Sequence, residues 1–174
     1  MTYRRINNIL GWLCFITALL VYTLTLEPSA SFWDSGEFIA SAYKLQIVHQ
    51  PGAPLYLMLG KIFSLLAGSD TGRIAFWINT CSATASAATI MFLFWTITAL
   101  AGKVLLKAGE MPAGWKFITI MGSGLAGALA FTFSDSFWFS AVETEVYALS
   151  SLCTAIVFWA ILKWDQEADE TYAD

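Results

Sequence analysis

The chain has 174 residues, of which 57% are hydrophobic and only 13% charged, with 8 Trp and 13 Phe. A water-soluble domain of this length carries about twice that share of charge, so composition argues against a soluble fold. The formal net charge of −4 owes much to acids at the C-terminal end and leaves no basic footprint, which argues against nucleic acid as a partner.

Four stretches contain no Asp, Glu, Lys or Arg: between Arg5 and Glu27, Arg73 and Lys103, Lys116 and Asp135, and Glu145 and Lys163. Each is long enough for the roughly 17–25 apolar residues that cross a hydrocarbon core about 30 Å thick. They predict an all-α membrane protein with spans at 9–26, 73–101, 116–133 and 146–163. One transmembrane region, 1–164, then runs into an acidic tail at 165–174.

The first span follows Arg4 and Arg5, as a signal peptide would. Its apolar run exceeds the roughly 7–15 residues of a signal sequence, and no small-x-small site precedes Glu27-Pro28, so it reads as an uncleaved anchor. With the N-terminus cytoplasmic, Arg4, Arg5, Lys103, Lys107, Lys116 and Lys163 lie inside, and only Lys44, Lys61 and Arg73 lie outside. The positive-inside rule favours that orientation, with both termini cytoplasmic. Cys14, Cys81 and Cys153 each fall within a span and read as small apolar packing residues.

The outer loop 27–72 is too apolar for a plain solvated loop. Residues 34–45 predict a short interfacial helix entered through Phe32 and Trp33, with Asp34, Glu37, Ser41 and Lys44 on one polar stripe. Two readings of its acids fit the spacing. Asp34-Ser35-Gly36-Glu37 matches a capping box, and the same carboxylates suit a reactive site. Next, His49-Gln50-Pro51-Gly52-Ala53-Pro54 forces a turn, and Pro54 suits the first position of a helix over 55–67 that is too short to span. His49, the chain's only histidine, fits both a structural hydrogen bond and a functional role.

Small residues in the second span (Ser82 to Ala88) and third span (Gly122, Gly124, Gly127) imply close helix packing and no activity. No ionised residue sits mid-span, which argues against an ion pump. In the second outer segment, 133–145, Ser140 and Glu143 fit another capping box. Glu145 has no such role and stands with Tyr147 at the mouth of the fourth span.

Three stretches carry a family resemblance: Leu26-Glu27-Pro28 with Phe32-Trp33-Asp34-Ser35-Gly36-Glu37-Phe38, then His49-x-Pro51-Gly52-x-Pro54-Leu55, then Glu143-Thr144-Glu145-Val146-Tyr147-Ala148-Leu149. They resemble a bacterial membrane family long catalogued as a domain of unknown function and related to eukaryotic protein O-mannosyltransferase-like proteins. The family usually has two prolines after the histidine, and Gln50 replaces the first here. It is similar to the GT-C glycosyltransferases, multi-spanning enzymes that take a sugar from a polyprenyl-phosphate carrier on the outer side of the membrane.

The resemblance implies a fold that is the N-terminal part of a GT-C-like bundle. It makes Asp34 the acceptor-activating base, with Glu37 and Glu145 as supporting acids. Lys44, His49, Arg73 and Tyr147 become substrate-binding residues, and Pro51 to Tyr56 a second interfacial element. The implied partners are membrane lipid, a polyprenyl-phosphate sugar and a protein or glycan acceptor, in a bacterial inner (cytoplasmic) membrane. No cofactor is expected and no residue is assigned to a metal; the resemblance leaves metal dependence open. Four spans are too few for such a bundle, so the chain reads as part of a longer protein and inactive alone. The alternative is a non-catalytic membrane subunit or transporter component whose outer loops bind a partner or solute.

Overall fold

The computed structural model describes residues 2–171 with the exception of Pro51 and Ala108. All regular structure among these residues is helical. Seven α-helices follow in order: α1 (Tyr3–Leu24), α2 (Ser35–Lys44), α3 (Pro54–Ser64), α4 (Ile74–Leu105), α5 (Gly114–Thr132), α6 (Asp135–Val142) and α7 (Val146–Thr171). Four are long and apolar enough to cross a bilayer: α1, α4 with the 3₁₀ turn before it, α5, and α7. The protein is a multi-pass membrane protein with shorter helices between its spans.

Helix α4 is the post of the bundle. Its 32 residues extend roughly 48 Å, well beyond the hydrocarbon thickness. Helices α1, α5 and α7 all pack on it. Its buried face is rich in small residues (Ser82, Ala83, Ala85, Ser86, Ala87), which lets neighbouring backbones approach. The approach is reciprocal at Gly124 of α5, where a Cβ would stand 2.6 Å from Thr98 Cγ2 and 2.8 Å from Phe94 Cε2. At Gly11 of α1 a Cβ would meet the Trp95 indole at 2.2 Å. The core of the bundle is Cys14, Ala18 and Tyr22 against Ala83, Ala87, Ile90 and Phe94, closed by Ile120, Met121 and Ala128. Large apolar side chains on the opposite faces, such as Trp12, Ile16, Ile118 and Ile161, are exposed and suit contact with lipid.

The helix ends depart modestly from the charge-gap reading. Helix α1 starts at Tyr3 and so includes Arg4 and Arg5 in its first turn. At the other end, α7 runs on to Thr171, and most of the acidic tail continues this helix. Lys103 of α4 pairs with Asp165 of α7 where these two helices meet.

The excess length of α4 supports the outer segment. Helices α2 and α3 fold against its first turns through a second core of Phe38, Ala42, Val48, Tyr56, Leu57 and Ile78. Helix α3 begins with Pro54 at its first position, as expected, and ends in a 3₁₀ turn, Leu65–Ala67. The backbone here is unusual. Trp33, Leu45 and Ala53 have positive φ values of 58°, 54° and 38°, and Gly52 has 92°. Among the described residues, the non-glycine residues in the left-handed region all lie in this one segment, a pattern typical of functional sites.

Candidate active site

Helix α2 presents its first turn outward. Asp34 is its N-cap by position, yet its side chain makes no capping bond, and its backbone is already αR (φ −83°). The capping-box reading of Asp34 and Glu37 is therefore corrected. The Glu37 carboxylate turns away from the helix amides to meet His49, twelve residues on. Its Oε1 accepts the His49 backbone N–H at 2.8 Å, and its Oε2 lies 2.8 Å from His49 Nδ1. Two bonds from one carboxylate hold both the backbone and the ring of His49. The other ring nitrogen, Nε2, stands 3.7 Å from Asp34 Oδ2.

The three side chains are each about half exposed, at 58%, 43% and 50% for Asp34, Glu37 and His49. Behind them the Phe38 ring makes edge contacts with both His49 and Tyr56. The Tyr56 hydroxyl in turn lies 2.9 Å from Ser82 Oγ on α4. The reactive-looking groups thus sit on a platform anchored to the longest span. The hydrogen bond to Glu37 raises the His49 pKa, assisted by the charges of Glu37, Asp34 and Glu145. The same bond, with that from the His49 backbone, lowers the Glu37 pKa.

The second outer segment arrives from the other side. Ser140 and Glu143 form no capping box, which corrects that reading also. Helix α6 starts after Ser134, and the Ser140 hydroxyl bonds back to the Ser136 carbonyl. Glu143 instead follows the helix, only 3% exposed, with its Oε2 lacking a hydrogen-bond partner. Burial raises its pKa, against a lowering hydrogen bond from Ser31. Glu145 is 9% exposed. Burial raises its pKa first, then the charges of Glu143 and Asp34, while the Val146 N–H and His49 lower it. Val146 and Leu149, just after Glu145, pack against the core of Phe38, Val48 and Tyr56, so the two outer segments face one another.

Other sequence-predicted residues are not brought together. Lys44 lies exposed at the far end of α2, and Arg73 caps α4 with its guanidinium over the Phe76 ring at 5.7 Å. Among the described residues neither forms an ion pair with the acids. Tyr147 is 63% exposed. The predicted polar stripe is broken by Ser41, which is buried. Pro51, part of the predicted turn, lies outside the described residues.

Sequence reasoning missed the group that joins the two segments. Asn79 of α4 is fully buried. Its Nδ2 donates to the carbonyls of Glu27 (2.7 Å) and Ser29 (3.1 Å), and its Oδ1 accepts from the buried Thr144 hydroxyl. The Glu27 N–H donates to the Val142 carbonyl at 3.0 Å beside this junction. The available signal was a lone amide among the apolar residues at the outer end of a span; attention to ionised groups passed over it.

Metal dependence, left open by the sequence, meets a specific arrangement. Asp34, Glu37 and His49 each offer a ligand atom, and these atoms lie within 4.8 Å of one another. Chemically, the site combines an uncommitted carboxylate at Asp34, an imidazole oriented by Glu37, and a buried acid at Glu145.

Comparison with known proteins matches this sequence to one family. Residues 34–174 match the family model described as the protein O-mannosyl-transferase TMEM260 N-terminal domain. Protein O-mannosyl-transferase tmem260 of Dictyostelium discoideum is 28% identical over 147 residues, covering 84% of this chain and 16% of that protein. Protein O-mannosyl-transferase TMEM260 of Mus musculus is 28% identical over 152 residues, covering 87% of this chain and 19% of that protein. The chain thus spans less than a fifth of the length of either relative. No solved structure matches it. The matched region takes in the acid-bearing helix, the post and the second outer segment together, and the chain belongs to the protein O-mannosyl-transferase TMEM260 N-terminal domain family.

Proposed function

We propose that this chain forms the N-terminal part of a membrane glycosyltransferase. The enzyme moves a sugar from a polyprenyl-phosphate carrier to a hydroxyl on a protein or glycan acceptor. The observation that carries the reading is the Asp34 carboxylate, which makes no capping bond and lies beside a Glu37-oriented imidazole. Family membership supplies the reaction class. Asp34 takes the acceptor proton as the acceptor oxygen bonds to the anomeric carbon. The bond from that carbon to the phosphate oxygen breaks, and the phosphate leaves as an anion that needs no acid. His49, with its raised proton affinity, contributes positive charge beside that phosphate.

The test is a transfer assay of the purified full-length protein with matched donors. Polyprenyl-phosphate sugars are expected to support transfer to an acceptor peptide, and the corresponding nucleotide sugars are not. Transfer from nucleotide sugars alone overturns the donor assignment. No transfer from either, by a folded protein, favours the binding-subunit alternative.

The site belongs on the outer face, with both termini cytoplasmic, because the basic residues divide six to three in that sense. A bacterial inner membrane was expected from the resemblance, while the relatives named above are eukaryotic. A cysteine placed at Gly52 in intact cells or sealed vesicles should react with an impermeant maleimide from the outer side. Labelling from the cytoplasmic side alone inverts the topology.

A further inference from the structure

We infer that Asp34 and His49 form a binding site for a divalent cation, with Glu37 as the carboxylate that orients the imidazole ligand. The argument begins with the tautomer. His49 Nδ1 is engaged by Glu37 Oε2 at 2.8 Å, and the same carboxylate holds the His49 backbone N–H. A neutral imidazole bonded this way carries its proton on Nδ1 and keeps a lone pair on Nε2. Carboxylate–histidine pairs of this kind fix the ring orientation and raise the basicity of metal-binding imidazoles.

The free nitrogen faces Asp34 Oδ2 at 3.7 Å. That separation is long for a hydrogen bond. It suits two ligands on one cation: bonds of roughly 2.0–2.2 Å to each atom would subtend an angle of about 120°. Both side chains are half exposed, so water or a substrate oxygen has room to complete the coordination.

Glu145 supplies an independent observation. The residue is only 9% exposed, its neighbour Val146 packs on the core of Phe38, Val48 and Tyr56 behind the imidazole, and Glu145 forms no ion pair with Lys or Arg among the described residues. Two carboxylates therefore flank a single imidazole, and a third stands on the adjoining outer segment. A buried carboxylate without a cation is costly, and a bound cation relieves the imbalance. An imidazole with carboxylate oxygens favours Mn²⁺ or Zn²⁺ over Mg²⁺ or Ca²⁺. The binding claim stands apart from the transfer reading. If that reading also holds, the cation takes the place of the His49 proton as the positive charge beside the phosphate, where no contact among the described residues places Lys44 or Arg73.

Binding is measured directly on the purified full-length protein, stripped with chelator and carrying no histidine tag. Mn²⁺ titration followed by electron paramagnetic resonance should show saturable binding at one site per chain. Nitrogen modulation from an imidazole on the bound Mn²⁺, present in the wild type and lost in His49→Gln, assigns the site, and Zn²⁺ should displace the Mn²⁺. His49→Ala should abolish this binding, and Glu37→Gln should weaken it by roughly 10–100-fold. Asp70→Asn, at an outer acid whose carboxylate accepts the Gly72 N–H, should leave it unchanged. Absence of saturable Mn²⁺ binding overturns the proposal, as does binding without imidazole coupling. If His49→Ala fails to fold, Asp34→Asn and Glu37→Gln decide: unweakened binding in both overturns the proposal.

Discussion

On the proposed function, Asp34→Asn is expected to lower sugar transfer by the full-length protein by roughly 10²–10⁴-fold, the usual worth of a positioned general base. Protein level, membrane insertion and thermal midpoint should be unchanged. Asparagine matches aspartate in size, and the Asp34 side chain makes no capping bond that the change could remove. It is also more than half exposed, so the substitution buries no unpaired group. The absence of a cap makes Asp34→Ala informative as well. A conventional N-cap loss would cost about 0.5–2 kcal/mol and blur the result, whereas here stability should hardly move. Glu145→Gln should cost less activity, because this acid borders the site from the buried side. If Asp34→Asn transfers sugar at a near-normal rate, Asp34 is not the base. If Glu145→Gln is the inactive variant instead, the roles are exchanged. Should the cation site also hold, Asp34→Asn weakens metal binding too. Assays at saturating Mn²⁺ then restore what was lost through the metal and leave the loss of the base.

The bundle was legible in the sequence because membrane crossing is a one-dimensional constraint. Charges are excluded over about twenty residues at a time, and the four gaps mark the four long helices directly. The ends were less legible. Arg4 and Arg5 lie in the first turn of α1 because helix formation does not stop at the edge of the apolar layer. The site was legible in its residues and less so in its bonds. Asp34, Glu37 and His49 were singled out, but local spacing suggested that the acids served their own helix. A contact twelve residues away won: Glu37 gains two bonds from His49, one of them to a backbone N–H. The same holds at Glu143, where the capping pattern of Ser140-x-x-Glu143 coincides with the end of α6 and not its start. Lys44 and Arg73 matched by position in the chain, and position alone does not fix where a long side chain reaches.

Asn79 carries the second large expectation, on stability. Asn79→Ala should destabilise the protein by about 2–4 kcal/mol in detergent, since each buried polar group left unpaired costs roughly 1–3 kcal/mol. The substitution removes the donor to the Glu27 and Ser29 carbonyls and the acceptor of the Thr144 hydroxyl. It also leaves a space at a fully buried position. Thr144→Val removes only one of these bonds and should cost less. In a double-mutant cycle the pair should be non-additive, because the two side chains share a bond. Asn79→Asp separates the contributions. It retains an acceptor for Thr144 but turns a carboxylate toward two carbonyls, so it should be at least as damaging as alanine. Thermal or denaturant unfolding reads all four variants, and limited proteolysis around residues 27–33 reads the local release. A cost below about 0.5 kcal/mol for Asn79→Ala, typical of an unimportant surface change, would sink the assignment. The functional consequence follows from position. Asn79 ties the strand of chain leading to Asp34 and the one leading to Glu145 to the same turn of α4. Its loss should therefore reduce activity through misplacement of the two acids, even at temperatures where the bundle remains folded.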